Sequence, residues 1–493
     1  MKFISHGAAQ EVTGTCHELQ VEHAPGKWSR VLLDCGLFQG HRDEAAQKNA
    51  MFNFKVTDID AVILSHSHMD HVGRIPLLHK KGYRGPVHCT YASKDLAAVM
   101  LRDGGYIQEQ DEQFFCKHLK DSMMQCDGPL YTQEDAVACM RLFQGHNYGD
   151  WIDVVPGIRV QFFDAGHIIG SAQMLLEIRE VGPAGDGRPA GEGRPAGGAS
   201  ATGALTKVRH IGFSADLGRS ELPIIRDPVP MPPVELLICE STYGNRRHED
   251  IGTAKHHLQE AIVKTAERGG KVIIPAFSLE RTQEIVYDLH VLWDERKIPP
   301  IPIVIDSPLA SSVTDVFMRH PECYDQEMFA QFLGKQHNPF QFSLVRYTDS
   351  VEESKALNGI PGPMIIMAAS GMCEAGRIRH HLKNEIGNPK NTIVAVGYMA
   401  ENTLGRRVVD PTVGSIKIFD QTYPKKAEII SIDAYSGHAD MDDLDLYVAS
   451  VEKLKKLILV HGELEQMQPF GERMKEKLGV EVLMPKREEE LII

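Results

Sequence analysis

The sequence predicts an α/β protein with more than one domain. Short runs rich in Val, Ile and Leu alternate with longer helical stretches along most of the 493 residues, the pattern of sheets covered by helices. A chain of this length exceeds what one hydrophobic core usually supports, so two or more domains are expected. The composition is that of a globular protein, with 42% hydrophobic and 24% charged residues.

Ten apolar runs are predicted to be strands. In chain order they are 31–34 (VLLD), 61–65 (AVILS), 158–164 (IRVQFFD), 210–216 (HIGFSAD), 234–240 (VELLICE), 271–277 (KVIIPAF), 302–306 (PIVID), 364–370 (MIIMAAS), 391–397 (NTIVAVG) and 455–462 (KKLILVHG). The N-terminal MKFISHGAAQEVTGTCHE is expected to form the first hairpin. Helices are predicted at 74–82 (RIPLLHKKG), 253–269 (TAKHHLQEAIVKTAERG) and 281–295 (RTQEIVYDLHVLWDE).

One segment, 181–207, differs from the rest of the chain. It repeats GRPAG and contains almost no large apolar residue. Such composition is typical of a flexible connection, so we expect an insertion between two adjacent strands with no role in activity.

Charge and cysteine usage limit the classes of function. No apolar run approaches 18 residues and the N-terminus lacks a signal-peptide core, so no membrane association is expected. Nine scattered cysteines without a CxxC pair favour reduced thiols and a cytoplasmic location. The formal charge of −14 argues against broad adhesion to nucleic acid, although a local cationic site for phosphate stays compatible with it.

The stretch LSHSHMDHVG at 64–73 places four metal-ligating side chains within six positions. His66 and His68 follow an apolar run at i, i+2 spacing, which in extended backbone points both imidazoles to one side. Asp70 and His71 then enter the turn before a helix. The carboxyl end of a strand is where open α/β sheets place their sites, so this pattern predicts a metal site.

Further ligands must come from elsewhere, because one loop cannot easily enclose an ion. His167, Asp216 and His461 each lie just past an apolar run. If these strand ends converge, five imidazoles and two carboxylates could hold two ions about 3.5–4 Å apart. Nitrogen and oxygen ligands with many histidines favour two Zn²⁺, with Mn²⁺ or Fe as alternatives.

The segments HSHMDH, GHIIGSA, SADLG and LVHGE resemble successive motifs of the metallo-β-lactamase superfamily. The resemblance implies an αββα sandwich in which His66, His68 and His167 hold one zinc. Asp70, His71 and His461 would hold the other, with Asp216 bridging the two ions.

Six later segments resemble the β-CASP branch of that superfamily, which includes RNA nucleases. They are ICESTYGNR, IPAFSLERTQEIVYDL, IDSPLA, AASGMCEAGRIRHHL, VGYMAENTLGRR and DAYSGHADMDDL, in this order between Asp216 and His461. The resemblance implies an α/β domain that is inserted into the sandwich and caps the active site. We divide the chain into 1–240, a β-CASP domain at 241–415, and a returning part at 416–493.

The same resemblance assigns catalytic roles. Motif A falls on Glu240, motif B on His438 and motif C on His461, and DNA-repair members lack a histidine at motif C, which favours RNA. The implied reaction is attack on RNA by a hydroxide that bridges two metal ions. The ligands of these ions include Asp70 and Asp216. His438 is the expected general acid and Glu240 its orienting partner, giving 5′-phosphate and 3′-hydroxyl products. Without the resemblance, an ordinary loop histidine is as good an interpretation of His438 as a general acid.

Weaker patterns suggest supporting and substrate-binding residues. Asp34 in LLDCGLFQG could accept a hydrogen bond from a ligating imidazole, or could simply form a turn. The small-residue turn Ser370, Gly371 and Met372 could approach phosphate, or could only connect a strand to a helix. Phosphate contacts are also expected from three arginines that could instead lie on solvated helix faces: Arg281, Arg377 and Arg406.

These observations predict a zinc-dependent ribonuclease, acting as an endonuclease or a 5′ exonuclease on single-stranded RNA. Two alternatives stay open. A small-ester or thioester hydrolase would use the same metal ligands but leaves Glu240 and His438 unexplained. A non-catalytic β-CASP scaffold would not need the full ligand set. The sequence is also compatible with a homodimer.

Overall fold

The architecture was obtained as a computed structural model. It describes residues 1–40, 42–118, 128–181, 206–334, 338–397, 399–400, 402–432 and 434–493. Most of the insertion predicted at 181–207 lies outside these ranges. Its two flanking strands are described, and they pair with each other in antiparallel register from Val181 opposite Thr206.

The described residues form 22 strands. They are β1 (Lys2–Gly7), β2 (Cys16–Ala24), β3 (Lys27–Leu33), β4 (Ala61–Ile63), β5 (Val87–Thr90), β6 (Phe143–His146), β7 (Trp151–Val155), β8 (Ile158–Asp164), β9 (Ala172–Val181), β10 (Thr206–Phe213), β11 (Leu236–Glu240), β12 (Lys271–Pro275), β13 (Ile303–Ile305), β14 (Val345–Tyr347), β15 (Met364–Ala368), β16 (Thr392–Val396), β17 (Ser415–Ile418), β18 (Gln421–Pro424), β19 (Glu428–Ile432), β20 (Lys456–Val460), β21 (Glu481–Leu483) and β22 (Glu490–Ile492). Each of the ten runs predicted from the sequence overlaps with a strand, although several strands end before the predicted run does.

Fourteen α-helices lie between them in the described parts of the chain. They are α1 (Arg42–Ala50), α2 (Met69–Val72), α3 (Ile75–Lys80), α4 (Tyr91–His118), α5 (Gln133–Cys139), α6 (Ile251–Glu267), α7 (Arg281–Asp294), α8 (Pro308–Arg319), α9 (Gln326–Gly334), α10 (Val351–Ala356), α11 (Ile378–Glu385), α12 (Leu404–Val409), α13 (Met441–Ser450) and α14 (Leu464–Leu478). The three predicted helices correspond to α3, α6 and α7.

Two seven-stranded sheets face each other. The first has the order β22-β1-β2-β3-β4-β5-β6 and the second the order β21-β20-β11-β10-β9-β8-β7. Between them lies a core of buried residues from both, among them Leu19, Val31, Val160 and Met174. Helices α3, α4 and α5 cover the outer face of the first sheet, and α13 and α14 cover that of the second. The layers are therefore αββα, and the predicted α/β class is confirmed.

A third sheet is inserted between β11 and β20, which are adjacent parallel strands of the second sheet. Its six strands are all parallel, in the order β14-β13-β15-β12-β16-β19. Helices α6, α7 and α8 cover one face and α11 and α12 the other. The domain boundary predicted after residue 415 stays a prediction. The last strand of the third sheet, β19, follows that boundary in the chain.

The inserted sheet packs on the sandwich beside the predicted metal loops. Ile168 and Ile169, which follow the candidate ligand His167, belong to the same buried cluster as the helices of the third sheet. The cap and the metal loops therefore share one core. Within the described ranges, no helix is both long enough and apolar enough to cross a bilayer.

Candidate metal centre and active site

The seven predicted metal ligands lie together at the ends of four strands. His66 and His68 follow β4, Asp70 and His71 lie in α2, and the remaining ligands follow β8, β10 and β20. Their nitrogen and oxygen atoms form two groups, each within 4.8 Å: His66, His68, His167 and Asp216 in one, and Asp70, His71 and His461 in the other. These strands converge because their carboxyl ends share one edge of the sandwich.

The first group consists of three imidazole nitrogens that face one point. His66 Nε2 and His167 Nε2 each lie 3.1 Å from His68 Nδ1. A tetrahedral zinc site with Zn–N bonds of about 2.0–2.1 Å places neighbouring nitrogens about 3.3 Å apart. Asp216 Oδ2 lies 3.6 Å from His66 Nε2 and 3.7 Å from His167 Nε2 and so closes the group.

The second group is joined to the first through Asp216. His461 Nε2 lies 3.6 Å from Asp70 Oδ2. Asp216 Oδ2 lies 3.1 Å from His71 Nε2, and Asp216 Oδ1 lies 3.6 Å from His461 Nδ1. One carboxylate thus faces both groups, the position that a bridging ligand would need.

In three of the candidate ligands, the hydrogen bond made by one ring nitrogen determines which nitrogen is free to bind a metal. His71 Nδ1 donates to Asp34 Oδ2 over 2.8 Å, and His167 Nδ1 donates to the Gly437 carbonyl over 2.9 Å. His66 Nδ1 lies 2.9 Å from Ser65 Oγ, which itself donates to Asp34 Oδ2 over 2.7 Å. In each ring Nε2 is left to face the cluster. Asp34 therefore lies where it can orient two ligands.

Buried polar atoms without partners test whether cations fit here. Asp216 Oδ1 and His461 Nε2 are both buried and have no hydrogen-bond partner among the described residues, an expensive arrangement unless something else binds them. Burial and neighbouring imidazoles hold the pKa of His66 and of His167 well below the usual range, so both rings are neutral. Burial likewise lowers the pKa of His68 to about 4. Neutral imidazoles are the form that binds metal, and the residues fit a cation site.

Three residues at this cluster have strained backbone conformations. Asp34, Ala215 and His461 all adopt left-handed conformations, with φ of 62°, 50° and 48°. Each lies on or beside a candidate ligand, and such strain is typical of functional sites. Gly36 permits a close approach to the metal loop, since a Cβ there would lie 1.6 Å from the Asp70 carbonyl oxygen.

The predicted acid and its partner lie at the open side of the cluster. His438 Nδ1 is 3.4 Å from Glu240 Oε1 and 4.0 Å from Asp216 Oδ2, and its ring centroid is 4.5 Å from that of His167. Glu240 is buried, and its Oε1 also accepts the Leu217 N–H over 2.6 Å. Burial alone would lower the pKa of His438, but the carboxylates of Glu240, Asp216 and Asp70 outweigh it and raise the pKa to about 9.

The residues predicted to contact phosphate lie in different environments. Ser370, Gly371 and Met372 form a turn after β15, in which Ser370 Oγ bonds within the turn to Ala375. Arg377 donates to Asp306 Oδ1 over 2.7 Å and to the Asp349 carbonyl over 2.8 Å, which makes it an internal ion pair.

The other two arginines differ in burial. Arg281 pairs with Glu284 and lies over the Tyr435 ring at 5.7 Å, close to the His438 loop. Arg406 is exposed on α12. Within the described residues, no hydrogen bond or ion pair joins Arg377 or Arg406 to the metal ligands.

Three supporting residues were missed by the sequence reasoning. Ser65 links Asp34 to His66 through hydrogen bonds of its hydroxyl, and Thr242 Oγ1 lies 3.1 Å from His461 Nδ1. Glu280 Oε2 accepts the Ile169 N–H over 3.1 Å and so joins the third sheet to the His167 loop. Ser65 and Thr242 could have been found from their adjacency to His66 and Glu240, whereas Glu280 carries no such signal.

Comparison with known proteins agrees with this architecture. The metallo-beta-lactamase superfamily matches residues 26–96, the Beta-Casp domain matches 282–408, and a Zn-dependent metallo-hydrolase RNA specificity domain matches 422–485. The three matches lie in the sandwich, the inserted sheet and the returning part of the chain.

Similar proteins match over nearly the whole chain. A ribonuclease of Thermus thermophilus is 36% identical over 96% of this chain and 95% of its own length. An RNase J-like protein of Methanocaldococcus jannaschii is 29% identical over 98% and 97%, and a transcription termination factor of the same organism is 28% identical over 97% and 69%. The chain therefore belongs to the β-CASP family of the metallo-β-lactamase superfamily.

Proposed function

We propose that this protein is a zinc-dependent ribonuclease that hydrolyses single-stranded RNA to 5′-phosphate and 3′-hydroxyl ends. The observation that carries the proposal is the juxtaposition of His438 and Glu240 with a cluster fit for two cations. Family membership and the relatives named as ribonucleases support RNA as the substrate.

The cations would be held by His66, His68 and His167 on one side and by Asp70, His71 and His461 on the other, with Asp216 between them. Bound there, two cations would lower the pKa of water and neutralise charge on the phosphate oxygens. Zinc suits this donor set best, and Mn²⁺ or Fe remain alternatives for loading experiments.

His438 would protonate the leaving 3′ oxygen. Its Nδ1–H faces Glu240, which leaves Nε2–H free to donate to the substrate. The carboxylate of Glu240 is itself fixed by the backbone N–H groups of Leu217 and Thr242, at 2.6 and 3.3 Å. The neighbouring carboxylates favour the protonated ring, the form that a general acid needs, and bound cations would oppose this preference.

Phosphodiester cleavage explains more of the site than thioester hydrolysis does. A thioester needs the metal ligands but no acid as strong as protonated imidazole, because a thiolate leaves readily, whereas an alkoxide does not. A scaffold without activity would not require all seven ligands to converge. The Glu240–His438 pair therefore favours the nuclease.

The test uses zinc-loaded protein and labelled single-stranded RNA carrying a 5′ monophosphate, a triphosphate or a blocked end, beside matched DNA. We expect RNA cleavage with 5′-phosphate products, and the fragment ladder separates internal from 5′-terminal cutting. Inertness towards every RNA, together with thioester turnover, would refute the proposal. A cytoplasmic location and a homodimer stay predictions. Analytical sedimentation measures the oligomeric state directly.

A further inference from the structure

One aromatic ring is exposed in a loop that is otherwise buried. Phe277 follows β12 directly and is 46% exposed, while Ala276, Leu279 and Glu280 around it are 1%, 4% and 4% exposed. Burying a phenylalanine side chain contributes about 1.5–3 kcal/mol to stability. This loop buries its other side chains and leaves the aromatic one open to solvent.

Hydrogen bonds fix the Phe277 backbone, and a glycine contacts its ring. The Phe277 carbonyl accepts both the backbone N–H of Thr282, over 3.1 Å, and its hydroxyl, over 2.7 Å. The ring itself lies against the backbone of Gly371, where a Cβ would come within 2.7 Å of a ring carbon. Any larger residue at 371 would therefore push the ring away. The ring is therefore in contact with Gly371 and is also partly exposed to solvent.

The open ring lies on the edge of the third sheet that faces the metal cluster. Three residues after Phe277, Glu280 bonds to Ile169, two positions beyond the candidate ligand His167. Gly371 belongs to the small-residue turn predicted to approach phosphate. The ring thus lies against that turn, and it is three residues before the residue that contacts the His167 loop.

We propose that Phe277 is a stacking platform for one base of the single-stranded RNA substrate, an inference that rests on the proposed function. Every base has an aromatic face, so such a platform holds a strand without selecting sequence. The exposed part of one ring is about 100 Å², far below the roughly 1,200 Å² of a stable protein interface, so a protein partner does not suit it.

The experiment combines Phe277→Leu with a scan of single abasic positions along a short RNA. We expect Phe277→Leu to raise KM about 5- to 100-fold with a much smaller change in kcat. In the wild type, one abasic position should impose a similar penalty. In Phe277→Leu that position should impose none, because the base has already lost its platform. Phe277→Trp should restore the abasic sensitivity.

Two further variants separate stacking from general damage. Phe329→Leu removes a ring that is 41% exposed on α9 and should leave the abasic profile unchanged. Gly371→Ala should displace the Phe277 ring and reproduce the loss of sensitivity at the same position. Melting temperature and zinc content show whether each variant is folded.

The outcomes are distinguishable. If the wild type cleaves RNA and its abasic profile is identical to that of Phe277→Leu, the stacking inference is wrong and the proposed function stands. If the wild type is inert towards RNA, the proposed function is wrong and the inference falls with it.

Discussion

His438 depends on a partner that is fixed more firmly than the histidine itself. The Glu240 side chain is about 1% exposed, whereas that of His438 is 22% exposed. Two backbone N–H groups hold the Glu240 carboxylate, so its orientation does not depend on the ring it contacts. Removing the imidazole should therefore leave the metal ligands in place.

We predict that His438→Ala keeps two metal ions per chain but cleaves RNA about 10²- to 10⁴-fold more slowly, because the leaving oxygen loses its proton donor. Metal content by elemental analysis and single-turnover cleavage rates check this. His256→Ala, which removes an exposed imidazole on α6, is the control. Unchanged turnover in His438→Ala would remove this residue from the mechanism.

Asp34 acts on the cluster through two ligands at once. Its carboxylate accepts from His71 Nδ1 and from Ser65, which in turn contacts His66. We predict that Asp34→Asn lowers metal affinity about 10- to 100-fold, since an amide accepts these hydrogen bonds less well and weakens the ligands' basicity. Competition with a zinc indicator measures the affinity. Asp60→Asn, directly before β4, is the control, and equal affinity in both variants would assign Asp34 to the turn alone.

Helix α7 places three acidic side chains on one buried face. Glu280 at its N-cap, Glu284 and Asp288 are spaced four residues apart, and all three are buried. Glu284 pairs with Arg281, and Asp288 accepts from Tyr435 Oη over 2.7 Å. Tyr435 lies three residues before His438. The helix thus connects the third sheet both to the His167 loop and to the acid-bearing loop.

The Glu280 carboxyl makes stability dependent on pH. Burial and the nearby Glu284 raise the pKa of Glu280 well above its usual 4.5, so the folded chain binds a proton that the unfolded chain releases. The free energy of unfolding of the wild type should therefore fall as pH rises above 4.5, by up to about 1.4 kcal/mol per pH unit until the raised pKa is passed.

We predict that Glu280→Gln flattens this dependence, because the amide stays neutral at every pH. Denaturant unfolding at several pH values between 5 and 8 measures it, with Glu352→Gln on the exposed face of α10 as the control. Parallel pH profiles for the wild type and Glu280→Gln would show that Glu280 is ionised in the folded protein.

At the scale of the whole molecule, the candidate metal centre joins distant parts of the chain. Its candidate ligands lie beyond β4, β8, β10 and β20, so the first sheet, the second sheet and the returning segment all meet there. Ions that bind only the folded arrangement stabilise it by mass action, by about 4 kcal/mol at a thousandfold excess over Kd.

We predict that chelation lowers the melting temperature by at least about 5 °C and that added Zn²⁺ restores it. Differential scanning fluorimetry of stripped and reloaded protein measures the shift, with Asp216→Ala as the variant that should respond least. A stripped protein that melts at the temperature of the loaded one would mean that the cluster does not link these segments.

The insertion should be dispensable to the whole molecule. Val181 and Thr206 pair directly, so residues 182–185 and 204–205 suffice to join β9 to β10. We predict that deleting 186–203 leaves both the melting temperature and the rate of RNA cleavage near those of the wild type. A marked fall in either quantity would show that the segment has a function.

The sequence alone predicted the fold class, ten of the described strands and the seven candidate metal ligands that the structure brings together. Each candidate ligand lies in a segment that follows an apolar run. The carboxyl ends of strands that run in one direction lie at one edge of a sheet, so the convergence of these segments could be expected from local patterns. Resemblance to the β-CASP family then indicated Glu240 and His438. These features are local in sequence, or repeat a known motif.

The tertiary structure decided what each side chain meets. It placed Asp216 between the two ligand groups and paired Arg377 with Asp306. It also directed Arg281 towards the His438 loop, and it left Phe277 exposed to solvent beside Gly371. The position of Asp216 was implied by the resemblance to the metallo-β-lactamase superfamily. The other contacts could not be predicted from the sequence, because each joins segments far apart along the chain. The physical reason is that ligand identity follows from strand ends, whereas the environment of a side chain follows from packing between sheets.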